Sequence, residues 1–171
     1  METSSQANPV RWRQADQADL EHIQKISDII HLDLPEEPKI FLEKFNLFPE
    51  GCLVLLYEGN VEGYSVSHPW RLNRIPVLNQ FLSGLPAVAN CLFIHDLAVL
   101  PHARGHGAAG ALIEIIENLA RERAIPNLAL VSVYGTYPLW GRFGFEVVND
   151  DALAEKLAAY GNQARYMIRT L

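Results

Sequence analysis

The sequence predicts a single α+β domain built around one sheet, and three observations carry that reading. Its 171 residues, 49% of them hydrophobic, are one domain's worth of chain with enough apolar side chains for a core. Short apolar runs bounded by turn residues alternate with segments whose apolar residues recur every three or four positions. A glycine-rich turn, residues 102–110, joins one such run to a helical stripe.

Residues 10–13 read as a short first strand, and Leu20, Ile23, Ile26, Ile29 and Ile30 form one apolar stripe on a helix. A second, shorter helix is expected over residues 38–45, with Pro38 at its entry and Ile40, Phe41 and Phe45 facing inward. Residues 52–57 form a buried strand, and the turn Glu58-Gly59-Asn60 leads into its hairpin partner, residues 61–67. From His68 to Ala89, three prolines and no sustained period predict a long loop or a short irregular helix, a setting for lids and binding segments. Residues 92–99 are the next strand, and Leu112, Ile115, Ile116 and Leu119 give a helix stripe ending before Pro126. Residues 128–133, apolar almost throughout, fit a strand covered on both faces. A short helix over 138–142, a strand over 145–148, a helix from 151 to about 159 and a strand over 164–170 complete the chain.

Composition excludes several classes of function. A net charge of −6 without a basic stripe argues against a nucleic-acid partner. No apolar run approaches the roughly 20 residues that span a bilayer, and the polar, acidic first residues lack the basic flank and apolar stretch of a signal peptide. A cytoplasmic protein without a membrane partner is therefore expected, its domain covering residues 9–171 behind a weakly ordered stretch over 1–8. Cys52 and Cys91 lie in apolar runs with no CxxC and no cluster at metal-ligand spacing, so reduced core thiols and no metal are expected.

Gly105 and Gly107 remove side chains where successive backbone N–H groups must face one ligand, and the helix that follows adds its N-terminal partial positive charge. Between Leu97 and Ile113 there is no acidic residue, whereas His102, Arg104 and His106 are present. The turn is suited to a phosphate or pyrophosphate. Gly105, Gly107 and Gly110 also satisfy the GxGxxG fingerprint of dinucleotide-binding oxidoreductases. That reading needs an acid at the end of the next strand to hold the ribose, and Val131-Ser132-Val133-Tyr134 supplies none.

The run Asp96-Leu97-Ala98-Val99-x-Pro101-x-x-Arg104-Gly105-x-Gly107-x-Ala109 resembles the acyl-CoA motif of the GNAT superfamily of N-acetyltransferases. Leu139-Trp140-Gly141-Arg142-Phe143-Gly144-Phe145 is similar to the family's later segment, and the element order fits from about residue 10 onward. The resemblance implies a mixed, mostly antiparallel central sheet of about six to seven strands with helices on both faces. It implies acetyl-CoA as acyl donor, with the pyrophosphate on the amides of Arg104, Gly105, His106, Gly107, Ala108 and Ala109. The pantetheine arm would run beside Leu97, Ala98 and Val99 where a neighbouring strand splays away, and Trp140 would adjoin it. Direct transfer to an amine then requires proximity, an oxyanion donor and proton routes, and no metal.

His95 is the candidate general base, since imidazole titrates near neutrality and the family uses a His at this position; the alternative is a hydrogen-bonded core histidine. Strand alternation places Phe93, His95, Leu97 and Val99 on one face and Ile94, Asp96 and Ala98 on the other, so Asp96 is the alternative base unless a bulge intervenes. Trp140 stands where the family often has a tyrosine that protonates the departing thiolate, and indole cannot serve as that acid. Tyr137, or more weakly Tyr134, would replace it; packed aromatics are the alternative. His68 and Trp70 are candidate acceptor-pocket residues together with the 71–89 loop. The apolar 75–89 stretch is a candidate homodimer contact.

The leading expectation is an acetyl-CoA-dependent N-acetyltransferase acting on a small-molecule or protein amine. A non-catalytic acyl-CoA-binding module is the runner-up, and a dinucleotide oxidoreductase comes third. Residues 1–94 hold 7 bases and 12 acids against 7 and 8 in residues 95–171, which biases the acceptor groove toward a cationic amine unless those acids merely form a solvated surface.

Overall fold

Hairpin and crossover geometry dictate how the strands meet. β1 (Val10–Gln14), β2 (Cys52–Tyr57), β3 (Asn60–Trp70), β4 (Cys91–Val99), β5 (Asn127–Ser132), β6 (Glu146–Val147) and β7 (Arg165–Thr170) form a seven-stranded sheet in the order β1-β2-β3-β4-β5-β7-β6. Every neighbouring pair is antiparallel except β4 with β5. A parallel pair needs a crossover, and α3 (Ala108–Glu122) provides it. The computed structural model describes residues 7–171. The weak order expected of residues 1–8 therefore lies, for residues 1–6, outside the described residues. Asn8 is anchored: its side chain accepts from the Val10 N–H at 3.1 Å and donates to the His106 carbonyl at 3.4 Å.

Helices cover both faces of the sheet. Ile23 and Ile26 of α1 (Leu20–Ile30) and Phe41 of α2 (Pro38–Leu47) pack on Val54, Tyr64 and Val66. On the other face, Leu112, Ile113 and Ile116 of α3 pack on Leu55, Leu92, Ile94 and Leu128. Trp140 of α4 (Tyr137–Arg142) joins the same cluster. Cys52 and Cys91 are free, buried thiols, each pushed up to about 12 by burial.

Apart from β4, the structure departs from the sequence reading of the elements in four places. Ile29 is 59% exposed, because the buried Ser27 takes the inward position between Ile23 and Ile30. β3 runs on through Pro69 to Trp70, since β2 stops pairing at Val66 and a proline there breaks no ladder to it. β6 has two residues rather than four, because Phe145 turns into the core. The helix expected from residue 151 is a 3₁₀ turn followed by the short α5 (Ala154–Ala158).

The departure with chemical consequences lies in β4. Its pairing with β3 runs from Gly63↔Val99 to Val66↔Asp96 and resumes at Ser67↔Ile94, so His95 is an extra residue without a partner. A bulge shifts the alternation by one. Leu92, Ile94, Leu97 and Val99 consequently share the α3 side, while Phe93 and Ala98 face the other way. On its second edge β4 pairs with β5 only over Leu92, Phe93 and Ile94, after which the two strands part.

Gly51 lies against β3 at Ser67, next to the bulge in β4. A Cβ there would sit 2.0 Å from the Ser67 carbonyl oxygen and 2.7 Å from Phe48. Gly51→Ala is therefore expected to cost about 1–3 kcal/mol, lowering Tm by roughly 2–12 °C in a protein of this size. A thermal melt indistinguishable from wild type would show that this contact does not constrain the strand.

Candidate active site

The turn after β4 has the backbone that the glycine pattern requires. Gly105 and Gly107 have φ of +83° and +74°, in the left-handed region that a side chain resists, and Gly107 caps α3. The first turn of α3 contains no acidic residue, so its unpaired amides at Ala108, Ala109 and Gly110 form an anion-binding end. The Trp12 indole N–H donates to the Ala108 carbonyl at 2.8 Å, fixing the helix start to β1. Arg104 is exposed and its Nε donates to the Val99 carbonyl at 2.8 Å. The His106 ring instead lies against Tyr57, with centroids 5.4 Å apart.

A cleft of about 620 Å³ begins at this turn, passes Leu97, Ala98 and Val99 where β4 and β5 part, and ends between the α1–α2 connection, Leu78 and Tyr160. Trp140 lines it from α4. At the far end stand two carboxylate–imidazole pairs. His95 Nε2 is 2.8 Å from Glu36 Oε1, with the two side chains 1% and 5% exposed. His31 Nε2 is 2.7 Å from Asp96 Oδ1, with side chains 10% and 11% exposed.

Each pair is held from several directions. Glu36 Oε2 accepts from the Asn79 backbone N–H at 3.0 Å, which ties the 71–89 loop to the site. Asp96 Oδ2 accepts from the Tyr64 hydroxyl, and His31 Nδ1 is 3.0 Å from the Tyr134 hydroxyl. Burial opposes ionisation of Glu36, but the charge and hydrogen bond of His95, with Lys44 and Asn79 behind them, bring its carboxyl down from 4.5 to about 2. Burial likewise opposes the His31 imidazolium, and the hydrogen bond and charge of Asp96 outweigh it, leaving the group above its ordinary value. Burial and the adjoining Asp96 charge push the Tyr64 phenol well up.

The bulge brings His95 and Asp96 to the same end of one cleft, which strict alternation forbids. Residue 95 is partly exposed while its side chain is 1% exposed, so its accessible surface is main chain and its ring lies behind the cleft wall. His68 and Trp70 do not reach the cleft. Both are core residues, 0% and 6% exposed, and burial with the neighbouring His95 charge lowers the His68 imidazole to about 3. Tyr137 is 45% exposed at the start of α4, outside the cleft lining, whereas Tyr134 lines the cleft. Sequence reasoning missed His31, Glu36 and Tyr64. His31 and Glu36 lie just outside two amphipathic helices that carry other polar residues, so nothing local marks them, and nothing marks Tyr64 in its strand.

Most acids of the first half, including Glu21, Asp28, Asp33 and Glu37, are exposed, and the two carboxylates in the cleft are both paired with histidine. The acidic surplus is thus largely a solvated surface. Among the described residues, no helix is long and apolar enough to cross a membrane.

The chain matches the acetyltransferase (GNAT) family over residues 13–145. It belongs to that family. The GNAT fold recurs in solved structures of low identity. Ard1 from Thermoplasma volcanium is 18% identical with a TM-score of 0.72, covering 95% of this chain and 98% of that one. N-acetylglutamate synthase from Neisseria gonorrhoeae, complexed with coenzyme A and N-acetyl-glutamate, is 21% identical with a TM-score of 0.71, covering 95% of this chain and 35% of that one. The GNAT-like decarboxylase GphF, in complex with isobutyryl-CoA, is 21% identical with a TM-score of 0.75, covering 94% and 98%. No curated protein matches by sequence. Membership in the GNAT family and a sheet with one parallel pair replace the dinucleotide reading.

The Glu36–His95 pair makes the stability of this GNAT protein pH-dependent. A carboxyl held at about 2 against an ordinary 4.5 contributes stability that is full above about pH 4.5 and is lost as pH falls toward 2, amounting to about 3 kcal/mol. Urea unfolding of wild type and Glu36→Gln between pH 6 and 2.5 should show the gap between them closing as pH falls. Parallel curves would overturn the assignment.

Proposed function

We propose that the protein is an N-acetyltransferase that moves an acetyl group from acetyl-CoA directly to a primary amine of a small molecule or protein. Family membership makes it an acyltransferase by class. The finer reading is carried by one observation: a single cleft joins the glycine turn at one end to two carboxylate–imidazole pairs at the other. A donor and an acceptor bound in one cleft react without a covalent intermediate, and holding them together supplies much of the rate.

In this reading the diphosphate sits on the amides of residues 105–110, helped by Arg104. The pantetheine arm follows Leu97, Ala98 and Val99, whose edge toward β5 has no ladder partner. The exposed main chain at the bulge supplies the donor for the thioester oxygen as it gains charge. His95, oriented by Glu36, takes the amine's proton through Nδ1, a buried nitrogen without a protein partner, by way of a water. A non-catalytic acyl-CoA-binding module is the second reading, favoured by Trp140 in the place where the family often has tyrosine.

Thermal shift and thiol release with a panel of amines test both readings. Saturating acetyl-CoA should raise Tm by roughly 5–10 °C at a hundredfold excess over Kd, and NAD(H) should not. Free thiol should appear only when an amine is added. Isobutyryl-CoA run in parallel reports the preference for the acyl group. Gly107→Val, which places a side chain in the phosphate cradle, should abolish the shift. His95→Ala should keep it and slow amide formation by roughly 10²–10⁴. A shift with no turnover on any amine would leave the binding module, and unchanged His95→Ala kinetics would remove His95 from the mechanism.

A further inference from the structure

The polar side chains at the far end of the cleft are bonded to one another. Glu36 meets His95 at one oxygen, 2.8 Å away, and accepts from the Asn79 backbone N–H at the other, 3.0 Å away. Asp96 meets His31 at one oxygen, 2.7 Å away, and accepts from the Tyr64 hydroxyl at the other. The second nitrogen of His31 is 3.0 Å from the Tyr134 hydroxyl, and the Tyr160 hydroxyl donates to the Pro76 carbonyl. Among the described residues that line the cleft, the remaining charged side chain is Arg104, which stands at the phosphate end. Asp33, whose charge helps to raise the Tyr134 phenol, is exposed to water and lies outside the lining. His95 Nδ1 is the nitrogen left without a protein partner here, and it is already assigned to the proton of the reacting amine.

Between these saturated groups the walls are hydrocarbon. Ile30, Leu34, Leu78 and Val133 line the cleft beside Tyr134 and Tyr160. Leu34 is half-buried and lies outside the three core clusters of the described residues, so its apolar surface is offered to the cleft rather than used in the core. We infer that the acceptor is an apolar monoamine, a primary amine on a small aliphatic or aromatic body with no second charge. The inference rests on the acetyl-transfer reading above and names its acceptor. A carboxylate or a second ammonium carried into this end would leave water for a space whose polar atoms already have partners, and a charge buried unpaired is costly. A hydrocarbon body gains contact with Leu34, Leu78 and the tyrosine rings at no such cost. The reacting nitrogen escapes the penalty as well: it loses a proton, gains the acetyl group and ends as a neutral amide, while CoA leaves as the thiol.

Acceptors that differ by one charge test this with acetyl-CoA and the full chain. Phenylalanine adds a carboxylate to phenylethylamine, and diaminobutane adds a second ammonium to butylamine. In each pair kcat/KM should favour the monoamine by roughly 10²-fold or more. Leu34→Asp sets a carboxylate in the wall, and should narrow the preference for butylamine over diaminobutane by about tenfold or more while the preference over phenylalanine persists. The acetyl-CoA thermal shift reports whether that variant is folded, and the wild-type pairs decide the matter if it is not. Wild-type turnover of either charged partner, or of a peptide amine, that equals or exceeds that of the monoamines overturns the inference and leaves acetyl transfer standing. An unchanged diamine preference in folded Leu34→Asp also overturns it. Failure of the underlying reading looks different, because wild type would then acetylate no amine of either kind.

Discussion

One extra residue in β4 organises the chemistry of this molecule. With His95 bulged out of the β3 ladder, Leu97 and Val99 return to the α3 side, and Asp96 reaches His31 and Tyr64 on the opposite side. A regular strand would turn either His95 or Asp96 away. The bulge also puts main chain at the cleft surface, just past the point where β4 and β5 stop pairing. Hydrogen-bonding backbone and two ionisable pairs thus converge on a few residues without any of them leaving the sheet.

The sheet tolerates this because the region behind the bulge is expensive and enclosed. Lys44 Nζ, Ser67 Oγ, His68 Nε2 and His95 Nδ1 are all buried without a hydrogen-bond partner among the described residues. Burial lowers both the Lys44 ammonium and the His68 imidazole, which reduces the cost of charge in that space. An apolar core would be more stable at this position. A polar one keeps Glu36 ionised beside His95, since the Lys44 charge is among the influences that depress its carboxyl.

Much of the fold was legible because it rests on local rules. The hairpin turn at Gly59, the 3.6-residue stripe of α3, the proline entry of α2 and the run of β5 each have a signature within a few residues. The glycine turn was legible for the same reason, since Gly105 and Gly107 are needed for their own backbone angles. The reacting end was not. A bulge arises from the mismatch between two strands, so the sequence of β4 alone cannot register it. His31 and Glu36 meet Asp96 and His95 across separations of 65 and 59 residues, and no periodicity reports such contacts. His68 was misplaced because prolines hid the end of β3, and Tyr137 because its helix begins by turning it outward.

The two pairs differ in how far they are enclosed. Glu36–His95 is nearly closed off, with side chains 1% and 5% exposed, and its carboxyl is held far below the ordinary range. Such a carboxylate stays ionised and holds His95 Nε2 in a hydrogen bond. His31–Asp96 is more open and sits under Tyr134, which is 48% exposed. The hydrogen bond and charge of Asp96 raise its imidazole above the ordinary value despite burial. In both pairs the attraction between carboxylate and imidazole works against burial, lowering Glu36 in one and raising His31 in the other. Tyr134, with a φ of +56°, places its hydroxyl 3.0 Å from His31 Nδ1 above this more open pair.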